Sequence, residues 1–125
     1  MSKIKASACF LVTIFFSVIT FSHHGGSMYP DRETELIFDN AIIDELLFVN
    51  PHARLLFSWT DSDGNTAVWD GELSGSNELV RSGVYSDLVE PGDRVTIKAW
   101  AHSSIPRNLR LVSIILPNGQ EVPLP

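Results

Sequence analysis

Leu47-Phe48-Val49-Asn50-Pro51-His52-Ala53 joins the two most apolar runs of the chain. Pro51 has no N–H to give a ladder and restricts Asn50 to extended backbone, so the chain turns or bulges at this corner. Upstream, Thr34 to Val49 carries Ile37, Ile42, Ile43, Leu46, Leu47 and Phe48, broken by Asp39-Asn40 and Asp44-Glu45. Leu36, Asn40, Ile43 and Leu47 fall at helical spacing, but the β-branched and aromatic content and the neighbouring strand favour one bent first strand. Downstream, Ala53, Leu55, Phe57 and Trp59 alternate with Arg54, Ser58 and Thr60, the period of a half-buried strand.

Asp61-Ser62-Asp63-Gly64-Asn65 reads as a turn, with Gly64 free to take positive φ. After it Ala67, Trp69 and Leu73 alternate with Thr66, Asp70 and Glu72, which makes strands two and three a hairpin. Ser74 to Gly83 changes period and predicts a short helix, with Ser76 or Asn77 as N-cap and Gly83 as its stop. Ser86 to Glu90 predicts a further helical turn before Pro91-Gly92-Asp93. In the fourth strand, Arg94 to His102, Val95, Ile97, Ala99 and Ala101 alternate with Thr96, Lys98 and Trp100. Ser103 to Asn108 is a loop, Leu109 to Leu116 the fifth strand, and a short proline-rich extension follows. The order β-β-β-α-β-β predicts an all-β fold with one short helix, a five-stranded OB-like barrel over residues 34–125.

The first 22 residues read as a secretory signal peptide: Lys3 and Lys5, an apolar run from Ala6 to Phe21, and small residues before a break after Ser22. The apolar run is too short for a stable span, which predicts a periplasmic or secreted bacterial protein with no lasting membrane insertion. Residues 23–33, with Gly25-Gly26-Ser27 and Pro30, read as a flexible amino-terminal arm. The single cysteine, Cys9, leaves with the signal, so disulfide, thiol and thiolate-metal chemistry are excluded. The chain carries nine Lys+Arg against fifteen Asp+Glu, a net −6, and loss of Lys3 and Lys5 leaves seven against fifteen, or −8. That balance opposes nucleic acid and anionic lipid and suits a protein that attracts cations. No nucleophile elbow, zinc-protease helix or phosphate loop is present.

Taken in order, His23-His24, Asn50-Pro51-His52, Trp69 with Glu72 and Ser74, Leu79 with Arg81 and Gly83, and Leu88 before Pro91-Gly92-Asp93 resemble an uncharacterised family of small exported bacterial proteins, domain of unknown function 6152. The resemblance covers nearly all of residues 23–125 and implies no settled activity. Departures fall at Gly25-Gly26, where a Ser-Phe pair is common, at Asn40, where Gly is common, at Phe48, and at Gly75 and Val84.

Among candidate sites, His23 as first residue after cleavage offers its α-amine and imidazole to one metal ion, and His24 or His52 a further nitrogen. This donor set suits Cu(II), then Zn(II) and Ni(II). The bland reading makes His23-His24 a polar arm and His52 a turn residue bonded to backbone carbonyls. His102 reads as exposed, and Met28 as packing the arm down. Trp59 and Trp69 share the apolar phase of their strands and read as core, whereas Trp100 is the better surface aromatic, for sugar or peptide rather than nucleic acid. Asp70 and Glu72 lie on one strand face, where a solvated pair is a commoner occurrence than an acid–base couple. The expectation is therefore an exported binding module holding copper or another divalent metal at His23, His24 and His52, with Asn50, Glu72 and Trp100 as further contact residues. The alternatives are a protein- or glycan-interaction module, and a copper-dependent oxidase resembling the polysaccharide monooxygenases with an amino-terminal histidine.

Overall fold

The computed structural model describes Met28, Tyr29 and residues 34–125. Along the chain run β1 (Leu36–Leu47), β2 (Arg54–Thr60), β3 (Thr66–Glu72), α1 (Ser76–Arg81), β4 (Arg94–Ala101), β5 (Asn108–Ile115) and β6 (Glu121–Pro123). The strands follow the order β3-β2-β1-β4-β5-β6, and a parallel pairing of β3 with β5 closes the first five into a barrel. The architecture is the all-β, OB-like one that the element order predicts, with a single α-helix among the described residues, between β3 and β4. The predicted signal peptide and all of the arm except Met28 and Tyr29 lie outside the described residues.

β1 bends because it serves two partners. Its first half pairs with β4 and its second half with β2, with register shifts between Phe38 and Ala41 and between Ile43 and Glu45. At the first shift Asn40 takes φ 58°, in the left-handed region that asparagine tolerates better than most residues. At the second, Ile43 N–H donates to the Asp93 carbonyl and Gly92 N–H to the Ile43 carbonyl, so the Pro91-Gly92-Asp93 turn satisfies what the bulge leaves unpaired.

The alternation in β2, β4 and β5 delivers Leu55, Phe57, Ile97, Leu109 and Leu111 to a common interior, joined by Ile43, Leu73 and Leu79, all fully buried. Six residues are too few for a helix that stands alone, so α1 depends on packing through Leu79. Its N-cap is Gly75, ahead of both predicted candidates, Ser76 and Asn77, and it makes no side-chain cap bond of its own. The oxygen comes from elsewhere: Asn50 Oδ1 accepts the Asn77 N–H at 3.2 Å, and the Val49 carbonyl accepts the Ser76 N–H at 3.0 Å. Gly83 ends the helix at φ 82°, as predicted. Where a further helical turn is expected after Ser86, only a turn closed by Leu88 N–H to Tyr85 carbonyl forms. The terminal extension gains a strand, β6, paired to β5.

Gly71, inside the barrel on β3, has no room for a side chain. A Cβ there would lie 2.5 Å from Leu111 Cδ2 and 2.7 Å from its Cγ. Overfilling a packed interior typically costs about 1–3 kcal/mol, and truncating a buried leucine about 2–5 kcal/mol. Gly71→Ala and Leu111→Ala are each expected to lower stability in urea, and the double variant to lose less than the two singles added together. Additive losses would show that the two residues do not compete for the same space.

Candidate functional site

Inward placement of Gly71 forces its neighbours Asp70 and Glu72 outward, onto the outside of the β3–β5 seam. Register then sets two rows across β2, β3 and β5: Arg54, Glu72 and Arg110 in one, Leu56, Asp70 and Asn108 in the other. Arg54 binds Asp70 with two prongs, Nε to Oδ1 at 2.8 Å and Nη2 to Oδ2. This bond, ahead of the opposing effect of burial, raises the pKa of the guanidinium. Arg110 Nη2 donates to Ser74 Oγ at 3.0 Å and to the Pro125 carbonyl at 2.8 Å, and the Ser74 hydroxyl donates to the same carbonyl.

His52, held at the corner after a cis Asn50–Pro51 bond, reaches this strip. Its Nδ1 lies 3.1 Å from Glu72 Oε1, on a side chain 53% exposed against 23% for Glu72. Asp70 and Glu72, predicted as a pair on one face, are thus divided between a guanidinium and an imidazole.

Two residues of the arm complete the strip. Tyr29 is 3% exposed; its hydroxyl donates to Asn108 Oδ1 at 3.1 Å, and its ring meets His102 edge-on at 5.3 Å between centroids. Burial first, then the charge of Glu72, pushes the phenol up to about 12, against the pull of Arg110 and Arg54. The Met28 carbonyl accepts the Ser103 N–H at 2.8 Å, while the Met28 side chain is half-exposed. The arm is therefore pinned by the Met28 backbone and the Tyr29 side chain rather than by the thioether. His102, expected to be merely exposed, is partly buried and shapes the β4–β5 loop: its Nδ1 accepts the N–H groups of Ser104 and Ile105 at 3.1 and 3.0 Å.

Of the residues singled out in the sequence, His52 and Glu72 meet. Asn50 stands at the same corner with its oxygen engaged by α1. Trp100 is half-buried on the outward phase of β4, opposite Arg110. His23 and His24 lie outside the described residues. Trp59 and Trp69 pack with Phe38 at 5.2 and 4.8 Å and are half-buried, as part of the core's edge. Trp59 Nε1 donates to the Asp39 carbonyl, whereas Trp69 Nε1 is buried without an acceptor. Among the described residues no three of His, Cys, Asp and Glu come together as a metal group. The sequence reading missed Tyr29, Asn108 and Arg110. Arg110 was accessible through its outward phase on a strand, but nothing local marks Tyr29.

Fold and strip together define a small closed β-barrel domain with a charge-paired seam on its outer wall, and no helix among the described residues is long and apolar enough to cross a membrane. The chain belongs to the family of unknown function DUF6152, whose sequence profile matches residues 12–108. No curated protein and no solved structure matches it.

The Tyr29 seat has a pH signature. A folded-state pKa raised above the unfolded value near 10 means that its contribution to stability is full below about pH 10 and is lost as pH rises towards 12. Tyr85→Phe leaves Tyr29 as the only tyrosine. In that variant the tyrosinate absorbance is expected to rise with a midpoint near 12, and a midpoint near 10 would place the phenol in water.

Proposed function

We propose that this chain is a small exported binding module that holds a divalent first-row cation, Cu(II) foremost, with His52 as its anchoring ligand. The observation that supports this is the His52–Glu72 contact. A metal-binding histidine offers one ring nitrogen to the ion and donates the N–H of the other to a carboxylate or carbonyl, which fixes its tautomer. Glu72 takes that second role at Nδ1, leaving Nε2 of a half-exposed ring with its lone pair to offer.

In this reading the remaining nitrogens come from the arm. With residues 1–22 removed, His23 supplies α-amine and imidazole, and His24 a further ring. Tyr29, bonded to Asn108 on the same seam, fixes the arm there, and the five peptide steps from His24 to Tyr29 reach at most about 17 Å. Amine and imidazole donors favour Cu(II) over its neighbours in the series, and the acidic balance of the chain raises the local concentration of cations. The second reading, a module for a periplasmic protein or glycan, draws support from Trp100, whose outward phase opposite Arg110 sets an indole beside a guanidinium on the barrel wall.

Calorimetry and EPR on the protein beginning at His23 test the proposal. Cu(II) is expected to bind one-to-one through nitrogen, with His23→Ala and His52→Ala each weakening it at least tenfold. Glu72→Gln, which removes the carboxylate behind His52, is expected to weaken it by about 10- to 100-fold. Binding no tighter than that of a free His-His peptide, and indifferent to His52, would refute the metal site. A pull-down lost on Trp100→Ala would then establish the second reading.

A further inference from the structure

The corner from Phe48 to Ala53 belongs to neither β1 nor β2, and the His52 side chain is 53% exposed, so packing does not place its ring. Its place comes from the segment that follows Glu72. On one side of His52, Ala53 donates its N–H to the Ser74 carbonyl at 3.2 Å and accepts the Leu73 N–H at 2.9 Å. On the other, the Val49 carbonyl accepts the Ser76 N–H at 3.0 Å and Asn50 Oδ1 the Asn77 N–H at 3.2 Å. Between these anchors lies Gly75, where a Cβ would stand 2.5 Å from both Asn50 Oδ1 and the Pro51 carbonyl. With φ −62° and ψ 156°, Gly75 adopts backbone angles open to any residue, so what a glycine supplies there is space.

The Pro51 carbonyl belongs to the peptide that joins Pro51 to His52. The direction of a Cβ follows from the backbone atoms on both sides of its Cα. Ala53 fixes the carbonyl side of His52, and the seat of the Pro51 carbonyl against Gly75 fixes the amide side. Residues 73–77 continue directly from Glu72, so the segment that seats the corner also carries the carboxylate that His52 Nδ1 meets at 3.1 Å.

We infer that Asn50 and Gly75 are positioning residues for His52: the Asn50 side chain ties the corner to the first turn of α1, the bare Cα of Gly75 admits the Pro51–His52 peptide, and the imidazole is thereby set against Glu72. Asn50, expected from the sequence as a contact residue, acts instead through its neighbour, with its oxygen engaged by Asn77. A methyl group at position 75 displaces both oxygens. The Asn50 amide can swing aside, but the Pro51 carbonyl cannot move without carrying the backbone of His52 with it. The placement is a property of the metal-free protein. Its consequence for metal affinity rests on the reading of His52 as a ligand, and the two are separable by experiment.

Proton Overhauser contacts between the His52 ring and the Glu72 side chain report the placement in the metal-free protein. Wild type is expected to show them. Gly75→Ala, and Asn50→Leu, which keeps the shape and removes the acceptor, are each expected to lose them and to shift the His52 ring signals. Asn50→Asp keeps an oxygen for the Asn77 N–H and is expected to retain them. The ring of His102, bonded within the β4–β5 loop, serves as an internal reference and is expected to stay unchanged throughout. Should Gly75→Ala not fold, the Asn50 pair decides alone, since the Asn50–Asn77 bond lies at the surface. Contacts unchanged in Gly75→Ala and Asn50→Leu, or lost equally in Asn50→Asp and Asn50→Leu, would overturn the inference. Titration of Cu(II) then separates the two readings. Weakening by about 3- to 10-fold in Gly75→Ala and Asn50→Leu extends the placement to the metal, less than the loss typical when a ligand's direct partner is removed. A displaced imidazole in a protein that binds Cu(II) no better than a free His-His peptide establishes the placement and sinks the metal proposal. Tight binding indifferent to the displacement would refute His52 as the ligand and leave the placement standing.

Discussion

Everything in this domain depends on how closely β3 and β5 approach. Three residue pairs join them, Asp70 to Asn108, Gly71 to Leu109 and Glu72 to Arg110, and the approach is possible because Gly71 leaves its volume to Leu111. Without that pairing β3 and the first part of β5, which β6 does not cover, would be exposed sheet edges with unpaired backbone groups open to other chains. With it, the interior residues meet across a closed wall. Because side chains alternate across a strand, the glycine that permits closure also sends the two carboxylates that flank it outward. Barrel closure and the charged strip are two faces of the same three residues.

That dependence explains which parts of the fold were legible in the sequence. β2 and β4 announce themselves because each buries one face, and burial writes a period of two into the residues themselves. The bend in β1 was legible as broken apolarity, and Asn40, which stands where the family pattern commonly has glycine, occupies a positive φ that only glycine or a residue like asparagine takes cheaply. The cap of α1 was not legible, because its acceptor is the side chain of Asn50, in sequence 27 positions away from Asn77. Gly75 is explained by the same contact: a Cβ there would lie 2.5 Å from both Asn50 Oδ1 and the Pro51 carbonyl. β6 is short and proline-containing, and it exists only because β5 offers an edge to pair with.

The site was legible in proportion to how local its causes are. His52 stands out because Pro51 fixes the chain beside it, and Glu72 because strand alternation points it outward. Their meeting is a product of register: β2 and β3 set Arg54 opposite Glu72, and His52 two residues before Arg54 arrives at the same carboxylate. Tyr29 lies in a stretch with no periodicity, so nothing nearby distinguishes a buried anchor from a solvated ring. Its partners, Asn108 and His102, lie more than seventy positions away in the sequence. His102 illustrates the converse error, since a polar residue at a strand end reads as exposed unless the loop's unpaired N–H groups are counted.

The charge pattern of the strip narrows what it is able to recognise. The chain as a whole carries −6, yet on the seam Asp70 and Glu72 face Arg54 and Arg110, so the strip is locally close to balance. Selectivity there cannot come from a net field, as it would for a basic groove on nucleic acid, and has to come from individual atoms held in place. Among the side chains on the strip, the imidazole of His52 is half-exposed, with its Nδ1 against Glu72. A cation at Nε2 requires a neutral ring, and the charge it adds needs a nearby anion that is not already neutralised. Asp70 is gripped by Arg54 through both oxygens, whereas Glu72, set between Arg54 and Arg110 in its row, meets the imidazole of His52. In the metal reading we propose, Glu72 rather than Asp70 is the carboxylate to serve as counterion, since Asp70 is bonded to Arg54.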